Sequence, residues 1–368
     1  MRSGVLIEEV ALEEGMHSRT YRGRLLTCLT VFLKWVASVH AHEKWFEDEV
    51  LANQLLCNFV QSLCSNNEAL WKARHTVLAV QTSYRHLKGR LGRAWNAVKA
   101  WQMRVPVHSR IPLTPDILRA MFALALTLGV SNSRDAHLWF SFAVCLRLGF
   151  AALLRPSELT KLRVGDLRLP RSQWEPFTLV VTLLDPKNKA SLGRYQFVMV
   201  DDPGLVKWVM WLTAGWPGCV KLWPSSHGKF IKFFKHCVAR LGLERLGLTV
   251  GSLRPGAATA HFLEHRCIPS LRILGRWRVE SSLEHYIQTV VAHMTYTDLT
   301  DSEHEHVTAL GAATQVQWSE PPAQPWHQVF GRHKQWQATV ARTKMLINLR
   351  STTWQGTSLV SARSILAA

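Results

Sequence analysis

Acidic residues are scarce in this sequence. Its 368 residues include 26 aspartates and glutamates against 44 lysines and arginines, so the formal net charge is +18. Such an excess of one sign repels itself in a compact chain and is usually retained where a polyanion neutralises it. The imbalance therefore favours a nucleic-acid partner, with a crowded basic surface in another class of protein as the alternative. A hydrophobic fraction of 47% excludes a wholly disordered chain.

Paired cysteine motifs are absent. The seven cysteines contain no Cys-x-x-Cys pair, and the 17 histidines form no metal-ligand pair at helical spacing on a recognisable motif. An odd number of cysteines without framework spacing argues against a disulfide scaffold and structural zinc, and it favours a reducing compartment. We therefore expect no metal site in this protein.

Long uninterrupted hydrophobic runs are also missing. The two most apolar stretches, 25–39 and 138–154, contain Lys34 and Arg147 respectively. A membrane span needs about 20 apolar residues, so buried helices explain both stretches better. Acidic residues near the N-terminus argue against a signal peptide. We expect an intracellular protein with no membrane partner.

Apolar spacing divides the chain into regions. After a loosely ordered leader at 1–20, apolar residues recur every three or four positions, as at Leu87 and Leu91. This spacing predicts a small helical domain over 21–104. Residues 105–112 include two prolines and basic side chains, which predict an extended linker. The linker could follow a DNA backbone or be an ordinary solvated connection.

A second region follows at 113–300. Pro115 is placed at the first position of a helix, and helical patterns continue to about residue 162. The β-rich runs at 177–184 and 195–200 then predict a small antiparallel hairpin with a basic loop, before helices resume. We therefore expect a mainly α-helical fold with a small antiparallel sheet. Residues 301–368 form a C-terminal extension that we expect to be partly disordered.

Four short segments in a fixed order carry the candidate chemistry. Arg155 lies in Leu-Leu-Arg-Pro-Ser-Glu-Leu, Lys187 in the basic loop, Arg254 in Ser-Leu-Arg-Pro-Gly, and Trp277 after Leu-Gly-Arg, nine residues before Tyr286. Breaking a phosphodiester without a metal requires positive charge where the transition state becomes negative. Two guanidiniums can each hold phosphate oxygens with a planar fork. The ordered set resembles the tyrosine recombinases, a superfamily that includes the Cre and Xer recombinases and the phage integrases.

The resemblance implies a fold and an activity. It covers about residues 113–300, which would form a tyrosine recombinase catalytic domain with the DNA breaking-rejoining fold. It extends to 21–104 as a SAM-like core-binding domain. The implied function is site-specific recombination or integration through a 3′-phosphotyrosyl intermediate, by an enzyme of mobile-element origin. The implied partners are double-stranded DNA and other copies of the chain in a homotetramer, and no cofactor is implied. The protein is expected inside the cell with its DNA, which in a eukaryote means the nucleus.

The same resemblance assigns roles to the basic residues. Arg155 and Arg254 would hold the scissile phosphate, and Lys187 would protonate the departing 5′ oxygen, because an ammonium gives up a proton far more readily than a guanidinium. Arg155 could instead form a structural ion pair with Glu158. Lys189, two residues after Lys187, is a competing candidate for the proton donor.

Trp277 and Tyr286 complete the expected site. The indole N–H of Trp277 is a donor only, so it would hold a phosphate oxygen without acting as a base. Tyr286 would be the nucleophile, and Tyr296, the other tyrosine after Arg254, lacks the nine-residue spacing. The alternatives are a core tryptophan and a buried structural tyrosine.

Gly251 departs from the family pattern, which has a histidine three residues before the second arginine. Glycine supplies neither proton transfer nor a side-chain hydrogen bond, and His285 beside Tyr286 is a candidate to compensate. The departure keeps a second hypothesis open, a catalytically decayed DNA-binding relative of these enzymes. A type IB topoisomerase is a third, although that branch normally keeps a histidine at the Trp277 position.

Overall fold

The computed structural model describes residues 19–41, 43–105, 110–131, 135–171, 175–284 and 286–323. His285, the candidate compensating base, lies outside the described residues. The chain forms two compact units, Met1–His108 and Ser109–Ala368. No helix among the described residues is long and apolar enough to cross a membrane.

The first unit is built from helices. Its described helices are α1 (Arg19–Ser38), α2 (Glu49–Ser65), α3 (Leu70–Ser83) and α4 (Gly92–Arg104), with a 3-10 turn at Arg85–Leu87. Asp48 starts α2, because its carboxylate accepts hydrogen bonds from the backbone N–H groups of Val50 and Leu51. α1 packs against α3, and α2 packs against α4.

An aromatic cluster fills the core of this unit. The ring of Phe32 on α1 meets Trp45 and Phe59 edge-on, with 5.4 Å and 5.1 Å between ring centroids. The buried Asn53 on α2 donates to the carbonyl of Arg90 over 3.0 Å and accepts from the N–H of Ala94 over 3.2 Å. Its amide thus satisfies backbone groups where α4 begins and fixes the start of that helix.

The second unit contains helices and one small sheet. Its described elements are α5 (Pro115–Ser131), α6 (Ala136–Ala151), α7 (Pro156–Leu159), β1 (Leu167–Arg168), β2 (Leu179–Leu183), α8 (Lys189–Leu192), β3 (Gln196–Val200), α9 (Pro203–Thr213), α10 (His227–Arg240), α11 (Leu253–His265), α12 (Ile268–Gly275), α13 (Glu280–Glu284), α14 (Thr289–Thr297), α15 (Asp301–Ala313) and α16 (Gln315–Ser319). Short 3-10 turns cover Val164–Asp166, Glu244–Leu246 and Val250–Ser252. α5 and α6 pair along their length at the centre of the hydrophobic core.

The sheet is antiparallel in the order β1-β2-β3. Val180 pairs with Met199, and Thr182 pairs with Phe197. Buried and exposed residues alternate along β3, so that one face of the strand covers the core. The predicted class, mainly α with a small antiparallel sheet, is confirmed. The sequence predicts a loop without a helix between β2 and β3, but this segment contains the single helical turn α8. Its first residue, Lys189, pairs with Asp185 four residues earlier.

The buried Arg147 and its half-buried partner Asp202 tie the C-terminal helices to this unit. The guanidinium of Arg147 on α6 donates to the carboxylate of Asp202 over 2.7 Å and lies 4.1 Å from the ring centroid of Trp318 on α16. Trp208 on α9 donates its indole N–H to the carbonyl of Gln317 over 2.6 Å. α15, in the region predicted as an extension, packs against α5. The described residues beyond position 300 therefore belong to the core of the second unit.

Candidate active site

Arg155 lies in a tight turn after α6. Leu153 adopts a left-handed backbone conformation with φ of 48°, which reverses the chain, and Arg155 precedes the Pro156 that starts α7. The N–H of Arg155 donates to Oε2 of Glu158 over 3.0 Å, and its Nη1 donates to Oε1 over 2.6 Å. The ion pair with Glu158 is therefore present, and the Arg155 side chain remains 20% exposed.

Glu158 is shared with a second arginine. Nη2 of Arg276 donates to Oε2 of Glu158 over 2.9 Å, and both side chains are 5% exposed. Arg276 itself has a φ of 56° at the end of α12, a conformation uncommon for a residue with a side chain. Burial lowers the pKa of Arg276 to about 10, with Glu158 opposing and Arg155 adding to the effect. One carboxylate thus bridges two guanidiniums.

Arg254 is the most buried of the three arginines. It lies in the first turn of α11 and is 2% exposed. Its Nη1 donates to the carbonyl of Leu153 and its Nη2 to the carbonyl of Gly275. Among the described residues no carboxylate pairs with it, and its Nε has no hydrogen-bond partner. Burial lowers the pKa of Arg254, and repulsion from Arg155 and Arg276 lowers it further.

Two aromatic rings cover this guanidinium. Cζ of Arg254 lies 4.4 Å from the ring centroid of Trp277 and 5.4 Å from that of Tyr286. The two rings are 5.1 Å apart at their centroids and inclined by 54°. Trp277 is buried and Tyr286 half-buried in a small apolar cluster with Leu271 and Leu283. The electron-rich ring faces stabilise the buried cation.

Two glycines permit this packing. A Cβ at Gly275 would overlap the indole of Trp277, which folds back over the helix end. A Cβ at Gly256 would lie 2.7 Å from the backbone nitrogen of Leu113 and 2.8 Å from its carbonyl carbon. The missing side chains therefore let α11 approach the chain before α5 and let Trp277 approach α12.

Tyr286 lies in a turn after α13. Its N–H donates to the carbonyl of Leu283 over 2.7 Å, and its carbonyl accepts from the hydroxyl of Thr259 on α11 over 3.1 Å. The same hydroxyl accepts from the N–H of Gln288 over 3.0 Å. Thr259 thereby fixes the backbone of the turn. Tyr296 is engaged elsewhere, since its hydroxyl donates to Asp116 over 3.0 Å.

The two candidate lysines differ in their surroundings. Lys189 is exposed and its Nζ lies 2.7 Å from the carboxylate of Asp185. Lys187 is exposed, and its ammonium contacts none of the site side chains in the part of the chain that the structure describes. The amide of Asn188, the next residue, donates to the carbonyl of Arg276 over 2.9 Å. This bond brings the backbone of the loop, and with it Lys187, beside the site.

Arg110 occupies the space that a side chain at Gly251 would need. A Cβ at Gly251 would lie 2.9 Å from Cζ of Arg110, and nearer still to its Nη1. The position where the family pattern places a histidine is thus filled by a cation from a preceding segment. Sequence reasoning missed both Arg110 and Arg276. Arg276 stands inside the Leu-Gly-Arg-Trp segment, and that adjacency was the available signal.

The structure therefore brings together four of the five predicted residues, Arg155, Arg254, Trp277 and Tyr286, around Glu158 and Arg276. Lys187 stands beside them without contact. Three guanidiniums face one carboxylate, and several of their N–H groups point at no acceptor in the described chain. Such an arrangement can bind a multiply charged oxyanion.

No protein-family model matches the sequence, and no curated protein matches it. Solved structures similar to the chain include the XerH site-specific recombinase bound to a palindromic difH substrate in a post-cleavage complex, at 14% identity and a TM-score of 0.44, covering 71% of this chain and 72% of that one. The pre-cleavage complex of XerH with difH matches at 12% identity and a TM-score of 0.42, and the match covers 68% of this chain and 70% of the XerH chain. XerA recombinase matches at 13% identity and a TM-score of 0.36, and the match covers 74% of this chain and 98% of XerA.

Proposed function

We propose that this protein cleaves and rejoins DNA strands, using Tyr286 as the nucleophile. The observation that carries the proposal is the charge balance around Glu158. Arg155, Arg254 and Arg276 supply three positive charges, and one carboxylate neutralises one of them. Burying a guanidinium without an anion is costly, so a site of this kind is best explained by an anionic ligand. A phosphodiester supplies the missing charge.

Three guanidinium nitrogens are buried without an acceptor in the part of the chain that the structure describes, and a phosphate would reach them only by entering the space that now encloses them. Nε of Arg254 and both Nε and Nη1 of Arg276 have no acceptor among the described residues. Arg155, the most exposed of the three, would meet the phosphate first. The guanidiniums are held by carbonyls and by Glu158, which would keep them in place as charge develops on the phosphate oxygens. Such preorganised donors stabilise a transition state better than mobile ones.

The proposed reaction has two proton transfers and one exchange of bonds at phosphorus. The hydroxyl oxygen of Tyr286 attacks phosphorus as its proton passes to water, and the bond from phosphorus to the 5′ oxygen breaks. Lys187 gives that oxygen a proton, which leaves a 3′-phosphotyrosyl bond and a free 5′ hydroxyl. Attack by a 5′ hydroxyl of a second strand reverses each step. The phosphoester bond energy is conserved in the covalent intermediate, so rejoining needs no nucleotide.

The substrate and assembly belong to the same proposal. Double-stranded DNA fits the net charge of +18, and XerH, one of the similar structures, was solved bound to its difH substrate. We propose a core-binding domain at 21–104 and a catalytic domain at 113–300, acting as a homotetramer where the cell keeps its DNA. Site-specific recombination or integration, in a protein of mobile-element origin, is the biological role proposed.

A suicide substrate tests the nucleophile. In a duplex nicked just after the scissile position the short leaving strand diffuses away, and the covalent adduct accumulates. A pool of such duplexes with a randomised sequence serves while the target site is unknown. We expect a protease-sensitive adduct with the unmodified protein, none with Tyr286→Phe, and an undiminished yield with the matched control Tyr296→Phe. An adduct that survives Tyr286→Phe assigns the nucleophile to another residue.

Gly251 favours a second candidate, a DNA-binding protein that has lost cleavage. No side chain at position 251 can take part in proton transfer, and the guanidinium of Arg110 stands in its place. Duplex binding that weakens steeply with salt, together with no adduct on any suicide substrate, would support this candidate over the enzyme.

A further inference from the structure

An open cavity of about 480 Å³ lies beside the candidate active site. β3 and the preceding turn form one wall, through Tyr195 and Phe197, and the end of α12 and the residues after it form the other. Arg276 and Trp277 line this cavity and also belong to the candidate active site. A ligand in the cavity would therefore touch the residues proposed to hold the phosphate.

The wall on β3 is apolar and exposed. The inward side chains of the strand cover the core, whereas Tyr195 and Phe197 are 61% and 62% exposed. Across the cavity Ile273 is 76% exposed. β3 is also an edge of the three-stranded sheet. Large apolar side chains grouped at an edge mark a binding surface more often than chance exposure.

The charges around these side chains select the kind of partner. The cavity is lined by Arg272, Arg276 and Arg278, and no carboxylate belongs to its lining within the described residues. Apolar rings beside arginines fit a ligand with flat faces and negative charge. An unpaired stretch of a nucleic acid offers both, because every base has a face for stacking and every linkage carries a phosphate. Bases inside a duplex offer no free face.

We infer that this cavity binds unpaired nucleotides of the DNA strand next to the scissile phosphate. Tyr195 and Phe197 stack against bases, and Arg272 and Arg278 contact the flanking phosphates. The inference rests on the proposed function, since strand exchange requires a cut end to leave its duplex. It adds a site for the strand that has left, adjoining the phosphate site through Arg276.

Binding of a fluorescein-labelled single-stranded (dT)12 and of a labelled 20-base-pair duplex to the full chain tests the inference. In fluorescence anisotropy we expect Phe197→Ala to weaken binding of the single strand about tenfold, since loss of one stacking partner has an effect of that order. Duplex affinity should change less than twofold. Phe197→Trp, which keeps a ring, should retain the affinity. Met199→Ala is the matched control, because Met199 is equally exposed on the same face of β3 and does not line the cavity.

Three results would overturn the inference. Unchanged single-strand affinity in Phe197→Ala, with adduct formation at Tyr286 intact, removes the stacking site and leaves the proposed function standing. An equal loss of single-strand affinity in Met199→Ala shows that the cavity is not the site. If Phe197→Ala instead abolishes self-association in sedimentation velocity and leaves oligonucleotide affinity unchanged, the face binds a second copy of the chain. Loss of the adduct in Tyr286→Phe tests the proposed function separately.

Discussion

The guanidinium of Arg254 lies 4.4 Å from the centroid of the Trp277 ring and is held by two backbone carbonyls rather than by a carboxylate. A buried cation in such surroundings lacks a counter-ion. Its position is stabilised by ring faces and carbonyl dipoles, which compensate only part of the desolvation. Because Arg254 lacks a counter-ion, we expect a bound anion to raise the stability of the protein, and unfolding experiments can measure this increase.

Arg254→Met removes the charge and keeps most of the volume. Loss of this charge relieves its desolvation and its repulsion from Arg155 and Arg276, whereas the carbonyls of Leu153 and Gly275 lose their donors at about 1–3 kcal/mol each. These opposing effects predict a small change in stability without added anion. Pyrophosphate at ten times its Kd should stabilise the unmodified protein by about 1.4 kcal/mol and the variant not at all. Thermal unfolding with and without pyrophosphate measures both. The control is Arg168→Met, at an exposed position on β1, which should respond to pyrophosphate as the unmodified protein does. If pyrophosphate stabilises Arg254→Met as much as the unmodified protein, the anion binds elsewhere.

Glu158→Gln should be strongly destabilising. The carboxylate is 5% exposed and receives hydrogen bonds from Arg155 and Arg276. Removing one member of a buried ionic cluster leaves the other charges uncompensated and costs about 3–5 kcal/mol. The free energy of unfolding in urea is the measurement. Glu47→Gln, which breaks an exposed pair with Lys44, should cost less than about 1 kcal/mol, and similar losses in both variants would refute the bridging role.

Gly256→Ala and Gly251→Ala form a matched pair on either side of Arg254. At Gly256 the new methyl meets the backbone of Leu113, which cannot move without shifting α5. At Gly251 it meets only the end of the exposed Arg110 side chain, which can rotate away. We expect Gly256→Ala to cost about 3 kcal/mol or more, and Gly251→Ala less than about 1 kcal/mol. Chemical denaturation of the two variants compares them directly.

The loop lysines can be separated by leaving-group chemistry. Lys189 is paired with Asp185, whereas Lys187 stands free of the described site residues beside Arg276. Lys187→Ala should slow suicide-substrate cleavage by about 10²–10⁴-fold, the usual contribution of a general acid, and Lys189→Ala only a few-fold. A substrate with a bridging 5′ sulfur, which leaves without a proton, should restore cleavage by Lys187→Ala. If this substrate restores cleavage by Lys189→Ala instead, Lys189 is the general acid.

Glu303 makes the docking of α15 dependent on pH. Burial raises the pKa of its carboxyl, but hydrogen bonds from Arg245 and from Thr300 outweigh burial and hold the pKa below its ordinary value. A lowered carboxyl pKa stabilises the fold above the ordinary pKa of about 4.3, and this contribution is lost as pH falls through the lower folded value. Glu303→Gln should therefore cost on the order of 1 kcal/mol at pH 7 and less at pH 3, where part of this contribution is already lost. Urea unfolding at both values measures the difference, and a constant gap would contradict it.

Local patterns predicted the fold class because they depend on neighbours in the chain. The β-rich runs at 177–184 and 195–200 gave β2 and β3 to within two residues of their observed bounds. β1 is only two residues long and has no pattern to detect. The helical turn α8 is four residues long and competes with an ordinary loop, and a sequence does not show which of the two conformations is more stable.

The candidate site depends on contacts between distant segments. The order and spacing of the motifs gave Arg155, Arg254, Trp277 and Tyr286, which converge in space. Arg276 was missed because its guanidinium is directed to Glu158, more than a hundred residues earlier, by a left-handed backbone that no spacing reports. Arg110 was missed for the same reason, since only the folded chain brings it to Gly251.

The indole of Trp277 rests on the bare Cα of Gly275, and this contact has a genetic consequence. Any single substitution at codon 275 introduces a side chain where the ring stands. The displaced ring would leave Arg254 uncovered, so such a change would harm the site before any compensating change at codon 277 could arise. Selection on position 275 is therefore coupled to selection on position 277. Among sequences descended from the same ancestor, we expect glycine and tryptophan to be kept together or lost together.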